Sequence, residues 1–490
     1  MERSSHQVLL YVLPATVSGL QFIPLGTAYI NKLGYEQNEQ NEAIDAHPFR
    51  LLEEKIMSSF LDAHRWRRMG WPRIVMYIVL VLFLLHLLTS FSISSREQPE
   101  QQQTIVEQSS HDFPWYNSQG HPKLDSLQNH KYTTTHLSTE ERNQLTHDTV
   151  NKAKKLVQDE FNSIQGIPGS VFNGNTRKSN QFRSLVNCWT TGKWVQVPSR
   201  KYVMPHFQDP LYGSCDRRFS KQNKEGGGQR DAVKYIWQSE CDSNIELDGT
   251  QWCQVLRGRH LLLVGDLVQY QLHELFLDTL RDGPAVCFGE LNCKDHTVCT
   301  DPFPDTRLRY LRNDILSTRR KMNANGGHPK ADVIEWPFTS SSIMRGYPIV
   351  IINRAPVIEG DDTFIKGLIE TLRTMRKANP NALVIYRSTG IGHPFCDDAT
   401  GPLEAPLTDE QLKQLPFGWS EVGRRNAIAR VIVEAAGGVF VDLAALTDLR
   451  PDGHVGGQDC LRYCIPGPLD SWAQILYQIF LGLEGRLPSA

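Results

Sequence analysis

The sequence predicts an α/β fold: a three-layer α/β/α domain with a mainly parallel sheet, behind a single N-terminal transmembrane helix. Three patterns carry that expectation. From Asn187 onward short apolar runs alternate with amphipathic stretches, residues 74–93 form one unbroken apolar segment, and every cysteine follows that segment. Uninterrupted apolar runs of strand length suit a sheet covered on both faces, because each side chain then points into a helical layer.

Composition limits what the chain does before any element is placed. Its 490 residues carry 52 Lys plus Arg against 54 Asp plus Glu, a balance that supplies no field for nucleic acid, which is excluded as a partner. A mean hydropathy of −0.38 argues against a multi-pass membrane protein.

The first 72 residues are expected in the cytoplasm. Within them Leu9 to Ile30 is mildly apolar but interrupted by Pro14 and Pro24, and Met57 opens a compact basic tail that could stand without the part upstream. Residues 73–93 are expected to be a signal anchor. From Ile74 to Ile93 the chain reads IVMYIVLVLFLLHLLTSFSI, with no formal charge. At about 1.5 Å per residue it spans roughly 30 Å, the apolar thickness of a bilayer. Arg65, Arg67, Arg68 and Arg73 precede it, which orients the chain as single-pass type II with the C-terminal part in the lumen. A cleaved signal peptide is the alternative, but the run is long and no small-x-small cleavage site follows.

Residues 94–184 are rich in Gln, Ser, His, Thr and Asn and are expected to be a lumenal stem, largely disordered, despite some helical spacing from Thr149 to Phe161. The lumenal domain is then expected over 185–490. There HLLLVGD precedes VQYQLHELFLDTL, PIVIIN precedes DTFIKGLIETLRTMRKA, and ALVIYR, NAIARVIVEAAG and GVFVDLAAL follow. Gly226-Gly227-Gly228 follows no strand and precedes no Gly-Lys-Ser/Thr, so it does not make a phosphate loop.

Ten cysteines lie beyond the anchor and none before it: Cys188, Cys215, Cys241, Cys253, Cys287, Cys293, Cys299, Cys396, Cys460 and Cys464. An even set on one side of a membrane suits a disulfide framework in an oxidising lumen, with the pairing left open. A zinc site is the competing reading, disfavoured because no C-x-x-C pair occurs; no metal and no cofactor are expected.

In a doubly wound sheet, ligands bind at the carboxyl ends of the strands. The candidate ends are Leu261 to Leu267, opening a helix with Gln269, His273 and Glu274; Ile351 to Arg354; and the C-terminal run from Arg450 to Trp472. Upstream, Cys188-Trp189, Gly192-Lys193-Trp194-Val195, Pro210-Leu211-Tyr212 and Trp237-Gln238 occur in order. Arg257-Gly258, Val264-Gly265-Asp266 and a D-C-x-x-x-C-x-P-G-x-x-D-x-W run from Asp459 to Trp472 complete the series. Together, over about residues 185–480, they resemble the trichome birefringence-like and PC-esterase family.

That resemblance implies an SGNH-hydrolase-like fold and a Golgi or other secretory-pathway membrane. It also implies polysaccharide O-acetyltransferase or acyl-esterase chemistry and a polysaccharide or glycan partner. The mechanism it implies needs a Ser after Gly-Asp and a D-x-x-H whose His deprotonates that Ser. Here Leu267 occupies the Ser position and Arg462 the His position, leaving Asp459 as the catalytic remnant. Leucine has no nucleophilic atom, and a guanidinium stays protonated and cannot act as general base. Asn353 corresponds to the oxyanion Asn, and Asp266, Asn353, Arg354, His454 and Arg462 are the expected substrate-binding residues.

Each has a plainer alternative. Asp266 could cap the following helix, His273 and Glu274 could be a helix surface pair, and Arg462 could ion-pair with Asp459 rather than capture an anionic sugar. His454 is a possible stand-in base, while Ser388 has no identifiable base and Ser471 no evident role. Two functions follow: an enzyme with rearranged catalysis, or a non-catalytic protein that binds glycan or regulates a protein partner.

Overall fold

The computed structural model describes residues 132–198, 215, 230–241, 245–280, 291–325, 328–329, 333–457 and 459–487, without the side chains of 292–294, 325 and 328–329. The expected anchor and the tail before it lie outside the described residues. Among the described residues no helix is long and apolar enough to cross a membrane.

Two helices, α1 (Thr139–Glu160) and α2 (Thr176–Thr190), precede a ribbon of β1 (Gly192–Gln196) and β2 (Tyr235–Ser239), then α3 (Gly249–Leu256). Next come β3 (Leu261–Gly265), α4 (Leu267–Leu280), β4 (Asn292–Val298), β5 (Thr306–Arg312) and α5 (Ser341–Gly346). They are followed by β6 (Ile349–Ile352), α6 (Asp361–Ala378), β7 (Leu383–Arg387), α7 (Val422–Ala435) and β8 (Val439–Val441). A hairpin of β9 (His454–Gly456) and β10 (Asp459–Tyr463) leads into α8 (Asp470–Leu483).

The central sheet runs β8-β7-β6-β3-β5-β4. Its neighbours are parallel except for β4, which pairs antiparallel with β5. Because β3 has β5 on one side and β6 on the other, the chain reverses its winding direction there. The carboxyl ends of β3 and β6 therefore flank the crevice where such sheets bind ligands.

Alternation along the strands sorts the side chains into two cores. Leu261, Leu263, Ile349, Ile351, Leu383 and Ile385 face Trp252, Leu275, Trp472 and Phe480. Leu262, Val264, Val350, Ile352, Val384 and Tyr386 face Leu368, Met375, Ile428 and Ile432. A period of two with both faces apolar gives the helix–sheet–helix layering expected, and each such buried side chain stabilises by about 1.5–3 kcal/mol.

The stem expectation needs correction over its described part. Ser138 and Glu141 form a capping box that starts α1, and Ala153, Val157 and Phe161 enter the second core. Arg142 donates to Ser420 O at 2.7 Å and pairs with Asp409 at 2.9 Å, while the Thr134 N–H donates to Glu421 Oε1 at 2.9 Å. Phe182, Val186 and Trp189 of α2 enter the first core. Residues 132–184 are thus part of the folded domain. Apolar residues at helical spacing suffice to dock one face even when the average composition is polar. Residues 94–131 lie outside the described residues.

Four disulfides join Cys188–Cys241, Cys215–Cys464, Cys253–Cys299 and Cys396–Cys460. Cys287 and the Cys293 side chain lie outside the described residues. The expectation of a surface pair at His273 and Glu274 is also corrected, since they are 0% and 5% exposed. Helix α4 is enclosed by β3, β5, β10, α3 and α8, so it has almost no outer face. Neither His273 ring nitrogen has a hydrogen-bond partner among the described residues, and burial pushes its pKa down to about 3.

Candidate functional site

At the crevice, β3 ends on Gly265 and Asp266 turns the chain into α4. Asp266 Oδ1 accepts the Gln269 N–H at 2.9 Å, a helix cap, and Arg387 Nη2 at 2.8 Å. Its Oδ2 accepts Asn353 Nδ2 at 2.8 Å, and its N–H donates back to Asn353 Oδ1 at 3.0 Å. Arg387 Nε donates to Gln269 Oε1 at 2.8 Å, and its guanidinium lies 5.1 Å above the Trp472 ring. A Cβ at Gly265 would lie 1.7 Å from Asn353 Oδ1, so only glycine admits this approach.

The result is a closed polar knot in which Asn353, Gln269 and Arg387 are almost fully buried. Asp266 and Asn353, both expected at the ligand, bind each other instead. Asp266 is a cap and an ion-pair partner.

Leu267, the first residue of α4, sits half-buried beside this knot. One turn further on, Gln271 Oε1 accepts the Tyr463 N–H at 2.9 Å and Gln271 Nε2 donates to Tyr463 O at 2.5 Å. Residues four apart share a helix face, so the β9–β10 hairpin is fastened one turn from Leu267. On that hairpin Arg462 Nε lies 2.5 Å from Asp459 Oδ2, and the Arg462 N–H donates to Asp459 Oδ1 at 3.0 Å. This is the local ion pair, on side chains 30% and 22% exposed, worth no more than about 1 kcal/mol.

Arg354 is also engaged within the protein. Its Nη2 reaches both Glu359 carboxylate oxygens at 2.7 Å, Nη1 donates to Ile315 O at 2.6 Å, and its guanidinium lies 4.9 Å above Phe364. At 3% exposure it structures the loop after β6 rather than greeting a ligand.

His454 is buried rather than turned toward solvent. Its Nε2 lies 2.7 Å from His393 Nδ1 and its Nδ1 lies 3.2 Å from Arg462 O, while His393 Nε2 lies 2.9 Å from Asp448 O. The Tyr463 ring stacks on it at 4.2 Å. Burial lowers both imidazole pKa values, that of His454 strongly, with the neighbouring His393 adding to the effect on His454. Through these contacts the two rings tie the loop after β7 to the hairpin. Ser388 offers no replacement nucleophile, because it is 0% exposed and its Oγ accepts the Ala444 N–H at 2.8 Å. Ser471 is likewise buried, in the first turn of α8.

Arg387, Gln271 and His393 complete this region and were not anticipated. Arg387 had a signal, a single charge ending the apolar run ALVIYR, whereas nothing near His393 or Gln271 announces a role.

No family model matches the chain. It is 23% identical over 357 residues to Protein trichome birefringence of Arabidopsis thaliana, covering 60% of this chain and 56% of that protein. It is 22% identical over 364 residues to Xyloglucan O-acetyltransferase 1 of Populus trichocarpa, covering 59% and 80%. The namesake from Arabidopsis thaliana is 23% identical over 345 residues, covering 59% and 79%. The chain spans 56% and 61% of the lengths of the two trichome birefringence relatives it matches.

Proposed function

With the chain a member of the trichome birefringence-like family, we propose that it binds glycan without the Ser-His-Asp catalysis that the resemblance implies. The observation that carries this reading is the pairing of Leu267 at the head of α4 with Arg462 bound to Asp459 on the hairpin fastened one turn away. A nucleophile and its base would have to stand there together, and neither chemical group is present. His454 and Ser388 do not take over, since each is buried and held by its own contacts.

The glycan part of the reading draws on the xyloglucan O-acetyltransferase relatives. We extend it to placement: an anchor at 73–93, type II, in a Golgi or other secretory-pathway membrane, with residues 94–490 in the lumen. The disulfides support an oxidising compartment. The test is to incubate the full chain with acetylated xyloglucan and follow both retention on the polysaccharide and free acetate. Retention without acetate release is expected; acetate release that copurifies with the chain overturns the reading.

A further inference from the structure

The β9–β10 hairpin is tied to the loop after β7 in two unlike ways. On the β10 side no titrating side chain is involved: Cys396 is bonded to Cys460, the His393 main-chain N–H donates to Cys460 O at 2.9 Å, and Leu461 packs on the small core of Ile391, Leu415, Trp419 and Val422. On the β9 side the tie is made by the rings of His393 and His454, each 6% exposed, with Nδ1 of the first 2.7 Å from Nε2 of the second. Asp397 Oδ1 adds one bond, accepting the Gly457 N–H at 2.7 Å.

The outer ring nitrogens face main-chain carbonyls, Nε2 of His393 at 2.9 Å from Asp448 O and Nδ1 of His454 at 3.2 Å from Arg462 O. A carbonyl only accepts, so each of these contacts uses a hydrogen of its ring. Between the facing nitrogens there is room for one proton beyond those of two neutral rings and no more, because two imidazolium rings in contact repel. Rings set apart in water take one proton each at about pH 6.5. Below that pH, acidification favours the parted rings whether the closed pair carries one extra proton or none. Burial lowers the proton affinity of both closed rings, which acts in the same direction.

We propose that the His393–His454 pair is an acid-released latch that frees β9 from the loop after β7 while the Cys396–Cys460 bond keeps β10 in place. The Arg462 carbonyl loses its ring contact in the same step, so the strand carrying the Asp459–Arg462 pair loosens at the crevice without leaving it. The latch stands apart from the glycan-binding reading above. Charged neighbours do not reverse its sign. Arg450 and Asp452 offset one another at 2.7 Å, as Arg462 and Asp459 do at 2.5 Å, and the Asp397 carboxylate is taken up by Gly457. Burial pushes the Tyr463 hydroxyl up, away from the window. The buried Asp448 carboxyl is also pushed well up, so acid favours its packed form and cannot mimic a release.

The experiment is hydrogen–deuterium exchange of the full chain in detergent from pH 7.5 to 5.5, each rate corrected for the pH dependence of a free amide. Residues 454–457 should exchange about 10- to 100-fold faster at pH 5.5, the range for a pair that parts with a gain of one to two protons, while β6 keeps its protection. Two double variants remove the titration: His393→Phe with His454→Phe, and His393→Asn with His454→Gln, which keeps polar groups in place. In both, the acid-dependent part should vanish. If thermal unfolding shows the Phe pair to be misfolded, the Asn and Gln pair carries that comparison. Wild-type exchange at 454–457 that changes less than about 3-fold overturns the latch. Acceleration shared equally by β6, or acceleration that survives in a folded double variant, overturns it as well.

Discussion

Asp266 illustrates how a carboxylate at a strand's carboxyl end can be taken up by structural contacts. Its carboxylate is held by Arg387, Asn353 and the Gln269 N–H, and removing one member of a buried pair strands the other charge. Arg387→Met is expected to destabilise the chain by about 3–5 kcal/mol, read as a shift in the denaturation midpoint; Arg387→Lys should not restore it, since one ammonium cannot reproduce two directed guanidinium bonds. A loss below about 1 kcal/mol would show that the knot is not what orders the crevice.

His273 sets a pH dependence at the same scale. Its folded pKa of about 3 lies below the ordinary 6.5, so on acidification the unfolded chain takes up a proton that the native chain refuses. The stability it supports is full above pH 6.5 and is lost as pH falls toward 3. The difference in unfolding free energy between wild type and His273→Phe should therefore grow in favour of the variant below pH 6.5, by up to about 1.4 kcal/mol per pH unit. Comparing the two isolates His273 from Asp448, whose buried carboxyl is pushed well up and acts with the opposite sign. A difference flat from pH 7.5 to 5 would contradict the buried, unprotonated ring.

Among elements, the strands most legible in the sequence were those whose burial is complete. β3, β6 and β7 read as apolar runs because both neighbouring layers cover them. β5 escaped because Arg307 and Arg309 alternate with buried Thr306, Leu308 and Tyr310, so its average character is polar although one face is core. The Asp459–Arg462 ion pair was legible through its three-residue spacing, and Asp266 as a cap through local chemistry. The Arg387–Asp266 pair was not, since its partners are 121 residues apart and only the sheet order brings them together. Helix α1 was legible only as helical spacing from Thr149 to Phe161, and its docking is testable at its C-cap: Phe161→Ala removes a side chain 5% exposed and should cost about 3–5 kcal/mol. A loss under about 1 kcal/mol by denaturation would return α1 to the stem.

At the scale of the whole molecule, the strand order forms the crevice of a doubly wound α/β sheet, while the polar groups at its mouth bind one another. Asn353 closes on Asp266, Asp459 on Arg462, and His454 on His393. Similarity to acetyltransferases at 22–23% identity does not carry activity, which depends on the groups at the site. Oxyanion donors and binding alone leave on the order of 10³-fold acceleration over water in a Ser-triad enzyme stripped of its triad, so any residual turnover should sit near detection. The most direct measurement is the rate of aryl acetate hydrolysis by the full chain, wild type against Leu267→Ala and His454→Ala. The account predicts three rates indistinguishable from one another and close to the uncatalysed rate. Robust hydrolysis by wild type, indifferent to Leu267→Ala and abolished by His454→Ala, would contradict it and establish a catalytic centre built on His454.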